Sequence, residues 1–137
     1  MPAMDVGDVL RETGRCSEAE PLYRRALALW EESLAKDHPY LADVLTGLGR
    51  CLVTLGRPGE AVTLLERALT IREGHKTMYP MEFGDTRFAL AQALWGAGRK
   101  RAQARALAAL AEKDFTTAGD EGEGSRKAVT AWLVEHR

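Results

Sequence analysis

Gly56-Arg57-Pro58-Gly59-Glu60-Ala61-Val62-Thr63-Leu64-Leu65-Glu66-Arg67-Ala68-Leu69 decides how this chain is built, because it occurs twice. Its twin, Gly14-Arg15-Cys16-Ser17-Glu18-Ala19-Glu20-Pro21-Leu22-Tyr23-Arg24-Arg25-Ala26-Leu27, stands 42 residues earlier, and a third Gly-Arg pair stands 42 residues later at Gly98-Arg99. The intervening segments match as well: Val6 with Leu48 and Leu90, Gly7 with Gly49 and Ala91, Leu10 with Leu52 and Leu94. A glycine that ends one helix, alanines at helical spacing in the next and a fixed period describe helical hairpins. Each hairpin buries its apolar stripe against its neighbours. The expectation is an all-α chain of stacked helical hairpin repeats closed by a C-terminal capping helix.

Working outward, Met1 to Thr13 reads as the last part of a first helix with Val6, Gly7 and Leu10 on its packing face. Ser17 and Glu20 have the spacing of a capping box and open the next helix. Asp37-His38-Pro39 stops that helix, and Pro39 suits the first turn of the one after it. Gly56 ends the helix from Pro39 to Leu55 in the left-handed position that glycine fills without strain. Glu73 to Asp85 is the least regular stretch, with Asp85 capping a helix that runs to Trp95. Ala104, Leu107 and Ala111 match Ala19, Leu22 and Ala26 if the third turn holds one extra residue. Gly119 to Gly124 reads as an acidic linker, and Ser125 to His136 as a capping helix with Ala128, Val129, Trp132 and Leu133 on one side. One domain results: a partial first repeat over 1–36, a second over 37–78, a third over 79–118, then linker and cap over 119–137.

This pattern resembles the tetratricopeptide repeat family. In that family a small residue on the first helix, here Gly49 with Gly7 and Ala91, lets the second helix pack close. The resemblance implies a short right-handed superhelix. A period of 42 rather than about 34, with His38-Pro39 before a first helix, is similar to the longer variant of kinesin light chains and many bacterial regulators. The run from Thr86 to Ala111, with the later Ala-Trp-Leu, also resembles the C-terminal repeat region of serine/threonine protein kinases of myxobacteria. That likeness implies a docking or regulatory module of a larger signalling protein.

Composition narrows the function classes. A formal net charge of −1 gives no long-range attraction to nucleic acid or an anionic membrane, and the apolar run from Ala106 to Ala111 is too short to span a bilayer. The expectation is a cytoplasmic protein. Cys16 and Cys51 hold non-equivalent repeat positions and form neither a metal nor a disulfide pattern. His38, His75 and His136 have no ligand at metal spacing, the 119–124 stretch lacks the ladder of a calcium loop, and Ser17, Ser33 and Ser125 have no nucleophile context. No cofactor, metal or catalytic residue is expected, so the chain reads as a binding module and not an enzyme. Arg99, Lys100, Arg101 and Arg105 form the one basic cluster, which leaves open a repeat segment of a transcription regulator.

Helical spacing selects the surface for a partner. On the third first-helix, Leu90, Ala91 and Leu94 set the core direction, and Phe88, Gln92 and Trp95 share a neighbouring stripe. Thr46, Arg50 and Val53 are their counterparts one repeat earlier, with Asp43 also inward, and Arg11 lies on the same stripe of the first repeat. The expectation is a protein or peptide partner with an apolar anchor at Phe88 and Trp95 and an acidic group at Arg50 and Arg11. The alternative packs Phe88 and Trp95 beneath the loop carrying Met78, Tyr79 and Met81. Because the chain has no asparagine for a carboxylate clamp, affinity for chaperone-type acidic C-terminal peptides is not expected. Self-assembly through the N-terminal repeat edge at Val6 and Leu10 remains a second class.

Overall fold

The computed structural model describes residues 2–75 and 79–137. Its elements are α1 (Pro2–Glu12), α2 (Cys16–Ser33), α3 (Pro39–Thr54), α4 (Pro58–Glu73), α5 (Pro80–Gly96), α6 (Arg101–Thr117), a 3-10 turn (Gly119–Gly122) and α7 (Glu123–Glu135), with no strand among the described residues. Each helix packs on the next, and α3 also touches α1 and α5. The first helices of the three hairpins therefore form one continuous layer. No helix among the described residues is long and apolar enough to cross a membrane.

The repeated glycines set the hairpin geometry. Gly14, Gly56 and Gly98 have φ of +78°, +78° and +68°, a region costly for any residue with a β-carbon. After each, the next amide donates back across the turn: Arg15 to the Leu10 carbonyl, Arg57 to Leu52 and Arg99 to Leu94, at 2.7, 2.8 and 2.9 Å. These bonds satisfy carbonyls that the ending helix leaves free, as in a Schellman cap. At the third turn the extra residue is Lys100, itself left-handed at φ 47°, and α6 starts one position later than its counterparts.

Small residues and large ones alternate across each hairpin. A β-carbon on Gly7 would lie 3.3 Å from the Tyr23 ring, and one on Gly49 would lie 2.5 Å from Leu65 Cγ. Tyr23 and Leu65 are fully buried in one core cluster that runs from Cys16 to Val129, and a smaller cluster of Leu41, Ala42, Leu45, Ala68 and Ile71 lies beside it. Burial of each such leucine stabilises the fold by about 2 kcal/mol.

Four sequence readings require correction. Arg15, not Ser17, precedes α2, with no side-chain cap. Its guanidinium pairs with Glu18, and Glu20 is held by Arg24 of the same helix and by Arg57 just ahead of α4, so these carboxylates serve ion pairs and not a capping box. Asp85 does not cap α5. The helix starts at Pro80, in the first-turn position that Pro39 and Pro58 also occupy. Tyr79 and Met81 thus belong to the start of α5, and Met78 lies outside the described residues. Gly119 to Gly124 is no extended linker. It forms a tight turn into α7, and Gly122 is buried against the Phe115 backbone, where a β-carbon would collide with the carbonyl oxygen.

Candidate functional site

A groove of about 460 Å³ opens where the first helices meet. α1 contributes Arg11 and Glu12, α3 contributes Arg50, Val53 and Thr54, and α5 contributes Asp85, Phe88, Ala89 and Gln92. Phe115 of α6 and Ser125 and Ala128 of α7 close the far wall. Three successive first helices supply these side chains because residues one period apart share a face of the stack.

The groove is electrostatically unbalanced around Arg50. Among the described residues, no carboxylate lies within ion-pairing distance of its guanidinium. Burial lowers its pKa, and the neighbouring Arg11 charge lowers it further while Asp85 opposes both. Arg11 is held more firmly: its Nε donates to the Tyr23 hydroxyl at 3.1 Å, and Asp8 and Glu12 lie 3.7 and 3.8 Å from its guanidinium. Burial works against the Arg11 charge, but these partners outweigh it and raise the pKa. The Tyr23 hydroxyl in turn donates to Asp8 at 2.5 Å. Burial pushes the Asp85 carboxyl above the usual range, although Arg50, Arg11 and Arg72 pull the other way. A guanidinium left partly desolvated beside a second one is stabilised by an incoming anion.

The sequence-selected residues separate into two groups. Arg11, Arg50, Val53, Phe88 and Gln92 line the groove together. Asp43, Thr46 and Trp95 do not. Thr46 is only 5 % exposed and its hydroxyl bonds that of Thr86 at 2.8 Å. Asp43 pairs with the Arg72 guanidinium at 3.1 Å, yet burial holds its carboxyl above the ordinary range against that attraction. Trp95 is covered from the other end of the chain: Trp132 of α7 meets it edge-on at 5.7 Å, His136 at 5.2 Å, and Arg101 lies over its ring at 4.7 Å. Trp132 also meets Phe88 edge-on at 5.9 Å. The capping helix thus packs on Trp95 and on one side of Phe88.

Arg72 is the residue that sequence reading missed. It is 3 % exposed and reaches α3 at Asp43 and α5 at Thr86 (2.7 Å) and Glu82 (3.5 Å). The signal was its place four residues after Ala68, on the buried stripe of α4. Among the remaining candidates, His38 caps α3 by accepting from the Tyr40 amide at 3.1 Å. His75 meets the Asp37 carbonyl at 2.8 Å, and His136 the Trp132 carbonyl at 2.7 Å. Arg99, Lys100 and Arg101 are exposed at the turn into α6.

Repeated hairpins whose first helices share one continuous groove define a helical-repeat scaffold. A sequence profile of the tetratricopeptide repeat matches residues 1–74, more than half of the chain. The chain belongs to the tetratricopeptide repeat family, whose repeats mediate protein–protein interaction. Its fold is similar to the nearly identical TPR-like repeats of a Podosopora anserina protein assigned by name to the kinesin light chains. That match has a TM-score of 0.79 at 22 % identity and covers 98 % of this chain and 64 % of the other. A point variant of the same protein matches at a TM-score of 0.78 and 22 % identity, with 98 % of this chain and 63 % of the other covered. The chain thus spans less than two thirds of the length of these structures. No curated protein matches it.

Proposed function

We propose that the groove between α1, α3 and α5 is a docking site for an acidic segment of a protein partner. The observation that carries this reading is Arg50, which faces the groove without an ion-pair partner among the described residues and beside a second guanidinium. A partner carboxylate at Arg50 relieves the repulsion from Arg11, and apolar side chains next to it find Val53 and Phe88. Within this reading Arg11, Arg50, Val53, Phe88 and Gln92 contact the partner, whereas Asp43, Thr46 and Trp95 support the wall. The likeness of Thr86 to Ala111 to kinase-associated repeat regions favours a docking module of a larger signalling protein.

The test is selection of peptides from a displayed library on the folded chain. Enriched binders should combine Asp or Glu with a nearby apolar residue and weaken as salt rises. Arg50→Glu, with helicity confirmed by circular dichroism, should weaken them about tenfold or more, which corresponds to about 1.4 kcal/mol. Binders that tolerate Arg50→Glu would refute the groove.

A second reading has its own support. Val6 and Val9 are 51 % and 59 % exposed, while their counterparts Leu48, Leu90, Cys51 and Ala93 are buried. This edge favours pairing with another copy, for which light scattering over a concentration series should show mass rising above that of the monomer. A mass independent of concentration would exclude it.

A further inference from the structure

The basic cluster at the turn into α6 plays no part in the groove, and the earlier repeats show what is unusual about it. In the first two turns the arginine after the glycine is neutralised. Arg15 forks onto Glu18 at 2.6 and 2.7 Å. Arg57 pairs with Glu60 of its own hairpin and, at 2.9 Å, with Glu20 of the hairpin before. Past the inserted Lys100, the third-repeat counterpart of Glu18 and Glu60 is Gln103, and that of Glu20 is Arg105. One hairpin back from Arg99, the Glu20 position is held by Val62. Both carboxylates that would neutralise Arg99 are thus replaced, one by a neutral amide and one by an apolar side chain.

Arg99, Lys100, Arg101 and Arg105 are all exposed. Among the described residues, no carboxylate lies within ion-pairing distance of any of them. None of the four lines the groove between α1, α3 and α5. Two features hold the cluster in place. Lys100 is the only non-glycine among the described residues with a left-handed backbone, at φ 47°, a costly conformation that concentrates at functional sites. The Arg101 guanidinium lies 4.7 Å over the Trp95 ring, which orients it. Four like charges held this close repel one another, and an incoming anion relieves that repulsion.

We propose that this turn is a docking site, separate from the groove, for a phosphorylated serine or threonine of a protein partner. A phosphomonoester carries a charge of about −1.5 to −2 at neutral pH and three strong acceptor oxygens. One such group can therefore accept from several of these cations at once, whereas a carboxylate offers less charge and one oxygen fewer. The planar fork of arginine matches phosphate geometry. A nucleic acid would need cations that track its backbone. Here the next charged residue of α6 after Arg105 is Glu112, and the net charge of the chain is −1.

The experiment passes two synthetic peptide libraries over the immobilised full chain. One has phosphoserine fixed at its centre between randomised flanks, and the other has serine there. The phosphoserine library should be retained and enriched, and each enriched peptide should lose about tenfold or more in affinity when made with serine. Gln103→Glu restores the carboxylate of the first two turns at unchanged side-chain size and should weaken these peptides several-fold. Arg101→Ala combined with Arg105→Ala, with helicity confirmed by circular dichroism, should weaken them about tenfold or more. Four outcomes overturn the proposal: equal retention of the serine library, peptides that tolerate either variant, peptides that lose affinity through Arg50→Glu instead, or tighter binding of an oligothymidylate than of any enriched peptide, which would assign the cluster to nucleic acid.

Discussion

Gly49→Ala tests the close approach of α3 and α4 directly. The new β-carbon would lie 2.5 Å from Leu65 Cγ and 2.6 Å from Cδ2, well inside van der Waals contact. Leu65 is fully buried, so its side chain cannot swing into solvent, and α4 must move away. Alanine in a helix interior gains about 1 kcal/mol over glycine. Overpacking a core costs about 1–3 kcal/mol, and an overlap this deep between two packed helices exceeds that range. The expected net loss is about 2 kcal/mol, read as a lower urea midpoint by far-UV circular dichroism. Leu65→Ala alone should cost about 3 kcal/mol through the cavity that it leaves. In the double variant the new methyl enters that cavity, so the combined loss should fall short of the sum by about 1 kcal/mol or more. The third repeat already uses this combination: Ala91 stands at the Gly49 position and, past the inserted residue, Ala108 stands at the Leu65 position, both fully buried. A Gly49→Ala midpoint at or above the parent's, or strict additivity in the double variant, would refute the reasoning.

The other predictions concern the cap and the buried charges. Trp132→Ala removes the ring that meets both Phe88 and Trp95 and should cost about 2–3 kcal/mol. In a Trp30→Phe background, where Trp95 is the remaining indole, emission should shift to the red, and an unchanged spectrum would mean that the cap does not shield it. Asp43, Glu82, Asp85 and Asp114 all have carboxyls raised chiefly by burial. The folded state therefore binds protons more readily than the unfolded one between the ordinary carboxylate values of 3.8 and 4.5 and the raised ones. Stability should rise as pH falls from neutral toward 5. It should then decline at lower pH, as Glu20, lowered by Arg24 and Arg57 in spite of burial, loses its pairs. A urea midpoint that drops steadily from pH 7 to 5 would contradict this sign.

The repeat itself was legible in the sequence because it rests on local chemistry repeated at a fixed period. The glycines at 14, 56 and 98 each need a left-handed backbone, the alanines recur at helical spacing, and prolines mark first turns. The same spacing placed Arg11, Arg50, Val53, Phe88 and Gln92 on one stripe, and these residues line the groove together. What spacing along one helix cannot convey is which neighbour covers that stripe. Thr46 and Asp43 lie inward too, but Arg72 comes across from α4 and draws both positions into a buried polar network. Trp95 has the exposure of a binding residue on its own helix and loses it when α7 lays Trp132 over it. Backbone conformation is decided within a few residues, and the sequence carries it. Desolvation and pairing are decided by atoms from distant segments, so they exist only once the hairpins have stacked.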